Sequence, residues 1–340
     1  MATILILGGT AWLGRELARQ AAEAGHAVTC LARGTAAATP GVELVKADRE
    51  KPGAYAGVVG RSWDVVVDVS RQPGQVREAV AALASYMGSA GQWVFVSTGS
   101  VYSGGAEHHF GNEGDPTKEP LTEDVADPEH YGEGKVACEW AVLDVLGADR
   151  VTIARVGLIA GPGDGSDRFG YWPAAFGRAV ADGGPVMVPD VTDQSVQLID
   201  VRDLAGWLLH AGVNHCAGTF DVVGAASTVG ELLDAAKEAA GFTGETVAVE
   251  PDWLIDQQVA YWAGPRSLPL WLPAGHELLV RRTAAKAVAA GLDRRAYAEL
   301  AADVLADERD RGVDRERQAG LTRAEELELI NAWRAESVLH

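Results

Sequence analysis

The sequence predicts an α/β chain built on a doubly wound parallel sheet, with a smaller C-terminal α/β part. Three observations predict it. Short apolar runs alternate with helical stretches through the first half. The runs are rich in Val, Ile and Leu and apolar on both faces, the pattern of parallel strands covered by helices on either side. A glycine-bearing turn joins the first run to the first helix.

The expected strands are Thr3–Leu7, Ala27–Leu31, Glu43–Lys46, Asp64–Val69, Trp93–Ser97 and Val151–Val156. Helices are expected at Leu13–Ala24, Gln75–Met87 and Tyr131–Leu146. After Val156 the rhythm changes. Gly161-Pro162-Gly163-Asp164-Gly165 is a loop signal. A helix near Ala174–Ala181, a short strand at Pro185–Val188 and a helix at Val201–Ala211 follow. Thr219–Val223 adds a further strand to the main sheet, and Thr228–Ala240 is an amphipathic helix. Asp252–Pro273, with Trp253, Trp262, Trp271 and several prolines, is expected to be irregular. In the helical tail, Thr322-x-x-Glu325 fits a capping box. The expected division is residues 1–156, with a return at about 199–223, for the nucleotide domain. Residues 157–198 and 224–340 form the substrate domain.

Composition narrows the function classes. The chain has 340 residues, 47% hydrophobic and 23% charged, an ordinary globular balance. Lys and Arg total 29 against 48 Asp and Glu, a formal net charge of −19. Such a surface repels phosphate backbones and anionic membranes. No apolar run approaches the roughly 18 residues a membrane span requires, and no signal peptide is visible. The three cysteines, Cys30, Cys138 and Cys216, are too scattered for a disulfide framework or zinc site. A reducing, cytoplasmic setting is therefore expected. His108-His109 has no acidic or cysteine partner at ligand spacing, so no metal is expected.

Leu7-Gly8-Gly9-Thr10-Ala11-Trp12-Leu13-Gly14 lies where the first strand meets the first helix. Gly8 permits a tight turn, and Gly14 permits close packing of helix on strand. Ala11 stands where a middle glycine would let backbone approach a pyrophosphate. The helix N-terminus offers free N–H groups to that anion. The second strand ends Leu31-Ala32-Arg33-Gly34, without the acid that binds a ribose 2′-OH in NAD sites. Arg33 is placed to meet a 2′-phosphate, with Arg15 in support, because a guanidinium matches phosphate geometry. NADP(H) is therefore expected in preference to NAD(H).

Tyr131-Gly132-Glu133-Gly134-Lys135 puts a phenol and an ammonium on one helix face. A phenol with pKa near ~10 is a poor proton carrier at neutral pH. A nearby ammonium favours the phenolate. Lys135 could also hold a ribose hydroxyl, while Tyr131 exchanges a proton with a carbonyl oxygen. Upstream, Trp93-Val94-Phe95-Val96 runs into Ser97-Thr98-Gly99-Ser100-Val101-Tyr102, placing hydroxyls at a strand's carboxyl end.

With Asp48, Arg155-Val156-Gly157-Leu158-Ile159-Ala160-Gly161-Pro162 and Ile199-Asp200-Val201-Arg202-Asp203-Leu204-Ala205, these segments resemble the short-chain dehydrogenase/reductase superfamily. The likeness is to its extended, epimerase/dehydratase-like branch and covers roughly residues 1–225. It implies a Rossmann domain, a smaller domain closing over substrate, and a Ser/Thr–Tyr–Lys site. The catalytic hydroxyl falls on Thr98, with Ser97 and Ser100 as alternatives. Cofactor contacts are implied at Gly8, Thr10, Ala11, Trp12, Leu13 and Gly14, and at Arg33, Asp48, Ser70, Tyr131, Lys135, Val156 and Leu158. Val156 replaces a proline common in the family. Tyr102, Arg168 and Trp172 are candidate substrate contacts, and Trp253, Trp262 and Trp271 could add an aromatic wall.

Dehydratases of the family carry an acidic pair after the catalytic Thr, whereas Gly99 and Ser100 follow Thr98 here. The expected function is NADPH-dependent reduction of a ketone or aldehyde on a small metabolite. The alternative is an NAD-dependent sugar-nucleotide epimerase. A non-catalytic NADP sensor or an RNA-binding relative is a third class, opposed by the intact Tyr131/Lys135 pair and the net charge. The expected partner is a small-molecule carbonyl substrate, with no nucleic acid or membrane; a homodimer is left open.

Overall fold

The computed structural model of the chain describes residues 1–35, 37, 39–104, 111–273 and 281–337. Six strands open the fold: β1 (Thr3–Leu7), β2 (Ala27–Ala32), β3 (Glu43–Lys46), β4 (Trp63–Asp68), β5 (Met87–Thr98) and β6 (Val151–Val156). With the strand Gly218–Val222 they form one seven-stranded sheet. Its order is Gly218–Val222, β6, β5, β4, β1, β2, β3, and every neighbouring pair is parallel. The order reverses at β1, which pairs β2 on one side and β4 on the other. Such a switch point opens a crevice beyond the carboxyl ends of the strands.

Helices α1 (Trp12–Glu23), α2 (Pro73–Leu83), α3 (Tyr131–Leu146), α4 (Tyr171–Asp182), α5 (Val201–Val213) and α6 (Val229–Ala240) follow the predicted rhythm. The sheet is covered on both faces. Leu5, Leu7, Val66, Trp93 and Phe95 pack with Val76 and Val80 of α2 and Cys138 and Val142 of α3. On the other face α5 approaches so closely that a Cβ on Gly212 would lie 2.6 Å from Val65. This double burial explains the uniformly apolar strands.

Two compact units emerge. The first comprises Met1–Gly157, Val201–Gly224 and Arg282–Asp293. The second is built from the described parts of 158–200, 225–281 and 294–340. Its core gathers Phe169, Trp172 and Phe176 with Leu232, Trp271 and Val304. A parallel pair, Val186–Pro189 with Thr246–Val249, lies within it. The Thr322 hydroxyl accepts from the Glu325 N–H at 3.3 Å, and the Glu325 carboxylate takes the Thr322 N–H at 2.8 Å, closing the predicted box.

Two readings of local structure change. The helix expected to reach Met87 ends at Leu83, passes through a 3₁₀ turn at Ala84–Tyr86, and Met87 already pairs with Trp63 as strand. Strand pairing wins over the helical pattern there because Trp63 and Met87 are both buried. The segment expected to be irregular contains a helix, Pro251–Asp256, and a short parallel pair, Ala260–Trp262 with Ser267–Pro269.

Trp172 is 1% exposed, stacks edge-on to Tyr171 at 5.0 Å and donates its indole N–H to the Pro269 carbonyl at 3.0 Å. Trp172→Ala should therefore cost about 3–5 kcal/mol in denaturant unfolding, the range for large aromatic truncations in a core. Trp140→Ala, at a half-exposed position, should stay within about 0.5 kcal/mol. Equal effects would remove Trp172 from the core.

Candidate active site

The turn after β1 is built for an anion. Gly8 has φ +98° and donates to the Leu31 carbonyl at 3.0 Å. A side chain at Gly14 would place Cβ 2.4 Å from the Gly8 carbonyl oxygen, so α1 can pack against this turn only with glycine there. Ala11 is the N-cap of α1 and no side chain caps the helix. The first-turn N–H groups therefore face outward for an external acceptor. No Cβ at Gly8 or Gly14 fills the cradle, so a dinucleotide pyrophosphate fits it. Thr10, Trp12 and Leu13 are half-buried around it, and Arg15 and Arg33 are exposed. Asp48 follows β3 and accepts the Glu50 N–H at 3.1 Å.

At the carboxyl ends of β4 and β5 the other predicted residues converge. Thr98 ends β5, Tyr131 opens α3, and Lys135 lies one turn further along α3. Thr98 lies near enough to the Tyr131 phenol to oppose the upward push of burial, and its hydroxyl donates to the Ser100 hydroxyl at 3.3 Å. Thr98 in turn accepts the Ser100 N–H at 3.2 Å. Ser97, an alternative for the same role, is buried and gives its hydroxyl to Glu139 at 2.5 Å. Among the three hydroxyls, Thr98 is the one that acts on the phenol.

Lys135 is 2% exposed. Its ammonium donates to the carbonyls of Ser70 at 2.7 Å and Val96 at 2.5 Å, and lies 4.3 Å from the centre of the Phe95 ring. Burial pushes it down to about 8. An ammonium has three donors, so one remains for a ligand. Tyr131 is pushed up by burial, opposed by Thr98 and by the charge of Arg71. The sequence reading did not name Arg71, whose charge opposes the upward push on Tyr131. Its signal was a charged residue directly after an apolar strand that ends in Val69-Ser70.

Glu139 was also overlooked. It sits one turn beyond Lys135 on α3, buried, and binds Arg155 of β6 at 2.8 Å and Ser97 of β5. Asp68 at the end of β4 is fully buried and accepts two hydrogen bonds from Arg49, at 2.8 and 3.0 Å.

Several predicted contacts fall elsewhere. Tyr102 is buried, its hydroxyl donates to Asp221 at 2.6 Å, and the Arg282 guanidinium covers its ring at 3.4 Å. Both contacts tie Tyr102 into a buried charge cluster. Trp172 is a core residue, as above. Trp253 packs on Trp333 and Trp271 on Tyr261, so the tryptophans form separate clusters rather than one wall. Arg168 lies in the second unit, bonded to Ser166 and facing Trp262 at 5.7 Å. The Ser70 hydroxyl is taken up by Gln75 at 2.7 Å. Val156 is buried at the end of β6, and Leu158 opens a strand of the second unit. His108 and His109 lie outside the described residues. Among the described residues no cluster could hold a metal, and no helix is long and apolar enough to cross a membrane.

A parallel sheet with a switch point, an uncapped glycine turn and a Thr–Tyr–Lys constellation define a dinucleotide-dependent oxidoreductase-type enzyme of the Rossmann class. The model of the NAD dependent epimerase/dehydratase family matches residues 4–220, and the chain belongs to that family. No curated protein matches it significantly. Among solved structures, a Burkholderia cenocepacia protein provisionally assigned as an epimerase is 21% identical, with TM-score 0.68 over 91% of this chain and 98% of that one. The UDP-Glc/GlcNAc 4-epimerase of Campylobacter jejuni is 15% identical, with TM-score 0.66 over 91% and 100%. RMD from Pseudomonas aeruginosa, complexed with NADPH, is 19% identical, with TM-score 0.61 over 92% and 100%. At these identities the likeness is one of fold.

The expected preference for NADP(H) is overturned. The family is NAD dependent, and of the similar structures with a named cofactor four hold NAD and one holds NADPH. Arg33 carried that expectation, and its side chain is exposed beyond β2, with no hydrogen bond or ion pair among the described residues.

Lys135 also gives stability a pH dependence. Its folded-state value of about 8 lies below the ordinary 10.5, so the unfolded chain binds the proton more tightly. The cost of the buried ammonium is complete below about 8 and is relieved as pH rises toward 10.5. Between pH 7 and 10 the unfolding free energy of the native chain should rise by roughly 1–3 kcal/mol relative to Lys135→Met. Parallel curves from denaturant titrations would refute the burial argument.

Proposed function

We propose that this chain is an NAD-dependent epimerase that inverts a carbinol carbon of a sugar-nucleotide-class substrate. The observation that carries the reading is the Thr98–Tyr131 hydroxyl pair at the carboxyl ends of the strands, one helical turn from a buried, fixed ammonium. The glycine cradle from Gly8 to Gly14 would hold the pyrophosphate, Asp48 the adenosine end, and the third donor of Lys135 a ribose hydroxyl. Val156 would stand beside the nicotinamide.

NAD, when bound, supplies a reversible hydride acceptor. The chain supplies the proton path. Tyr131 as phenolate takes the proton of the substrate hydroxyl, and Thr98 holds that oxygen by a hydrogen bond as it becomes a carbonyl. Tyr131 then returns the proton as the carbon regains hydrogen from the opposite face. The cycle is redox-neutral and consumes no external reductant. Gly99 and Ser100 supply no acid or base for elimination, which separates this chemistry from dehydration. With the NADP(H) preference gone, net reduction has no residue here that favours it. The 4-epimerase from Campylobacter jejuni, and those from Bacillus cereus and Thermus thermophilus, share this fold.

The test is incubation of the NAD-loaded protein with UDP-hexoses and UDP-N-acetylhexosamines, reading epimers by NMR. Epimer should form without added reductant. Tyr131→Phe should lower turnover by roughly 10²-fold or more, while NADH binding, read by energy transfer from the ten tryptophans, stays intact. Stoichiometric oxidation of NADH by a carbonyl compound, with no epimer from any sugar nucleotide, would replace this reading by reduction.

A further inference from the structure

The crossover from β3 to β4 holds neither helix nor strand. Asp48 stands at its start. The Asp48 carboxylate accepts the Glu50 N–H at 3.1 Å and faces the Lys51 ammonium at 3.9 Å, and both neighbours are exposed. Both contacts come from within the turn itself, so they do not fix the turn against the rest of the unit.

Arg49, the next residue, supplies that anchor. Its side chain is 9% exposed. Its Nε donates to the Tyr55 hydroxyl at 2.8 Å, and its two Nη groups reach the two carboxylate oxygens of Asp68 at 2.8 and 3.0 Å. The Gln75 carbonyl in α2 accepts from Arg49 and from the Tyr55 hydroxyl, both at 2.9 Å. Burial pushes the Tyr55 phenol up to about 12, so it stays a donor. Asp68 is fully buried and also accepts the Ser70 N–H at 2.9 Å. The Ser70 carbonyl holds Lys135 at 2.7 Å. The Asp48 turn and Lys135 are therefore registered on one segment of backbone. Just before Asp48, the Ala47 N–H donates to the Ala32 carbonyl at 2.9 Å and ties the turn to the end of β2. The rigid guanidinium fork restricts the orientation of the Arg49–Asp68 pair.

We propose that Arg49, paired with the buried Asp68, is the positioning residue that sets the base selectivity of the cofactor site. It holds the Asp48 turn so that the Asp48 carboxylate accepts from the exocyclic amine of adenine. An ionised carboxylate only accepts hydrogen bonds. Adenine offers it an amine. Hypoxanthine carries a carbonyl at the same position, which a fixed carboxylate repels. A turn free to shift would move away from that carbonyl and lose the discrimination. The inference rests on the reading of the glycine turn as the NAD site, with Asp48 at the adenosine end.

The experiment compares NADH with its hypoxanthine analogue, deamino-NADH, in the full-length protein, reading binding by energy transfer from the ten tryptophans. The native chain should bind NADH roughly tenfold tighter, the scale of one hydrogen bond to a charged group. Arg49→Met alone would strand a buried carboxylate, so the pair is removed together as Arg49→Met with Asp68→Asn, whose amide oxygen can still accept the Ser70 N–H. In that variant the preference should fall to about twofold or less, as it should in Asp48→Ala, and combining all three changes should lower it no further. If the paired variant does not fold, Arg49→Lys is read in its place; it keeps the charge, loses the fork and should lower the preference by about threefold. A native chain that binds both dinucleotides equally overturns the proposal. So does a folded variant that binds both more weakly with the native preference intact, because the pair would then serve stability alone. Absence of epimer with the base preference following Arg49 counts against the functional reading alone, whereas a native chain that binds neither dinucleotide overturns both.

Discussion

The first unit is organised around a buried ammonium. Removing a charge from water is expensive unless its donors are satisfied. Lys135 meets that demand with carbonyls from two different places, Ser70 after β4 and Val96 in β5. Neither carbonyl can move without leaving a buried donor unpaired. The start of α3 is therefore fixed against the carboxyl ends of the two central strands. Tyr131, one turn earlier, is carried along and meets Thr98 at the end of β5. The position of Tyr131 follows from a hydrogen-bond requirement one helical turn away.

Other polar groups reinforce the same region. Glu139 links α3 to β5 through Ser97 and to β6 through Arg155. Asp68 draws Arg49 over the end of β4 with two hydrogen bonds and also accepts the Ser70 N–H at 2.9 Å. Each contact is made between charged or polar groups shielded from water, where directional bonds restrict motion more than apolar packing does. The apolar sheet supplies bulk stability, while these pairs fix the geometry at its edge. The glycine turn achieves the same at β1 by leaving out side chains.

Much of this was legible in the residues. Strands apolar on both faces announced a doubly covered parallel sheet, and Gly8 to Gly14 announced the turn because its backbone demands are local. Thr98, Tyr131 and Lys135 could be named because spacing on a helix and position at a strand end are sequence properties. What could not be read depends on three-dimensional pairing. Tyr102 carries the aromatic-plus-hydroxyl character of a substrate contact, yet Asp221 and Arg282, both distant in sequence, enclose it. Trp172 stands in a loop-to-helix region like a pocket residue, but the Pro269 carbonyl claims its N–H. Arg33 shows the limit for cofactor choice. A charge at the right position does not reveal whether anything orients it.

The return of Arg282–Asp293 to the first unit bears on how the chain is made. The polypeptide changes unit five times, after Gly157, Asp200, Gly224, Arg281 and Asp293. Asp221 is buried on the strand Gly218–Val222, and its second carboxylate oxygen is bonded by Arg282 at 2.9 Å. On a ribosome that strand emerges some sixty residues before its counter-charge, so the nucleotide-type unit cannot finish its buried pairing until most of the other unit has been synthesised. Vectorial synthesis therefore yields no complete first domain ahead of the second. A truncation ending before Arg282 would leave a desolvated carboxylate inside an otherwise assembled sheet.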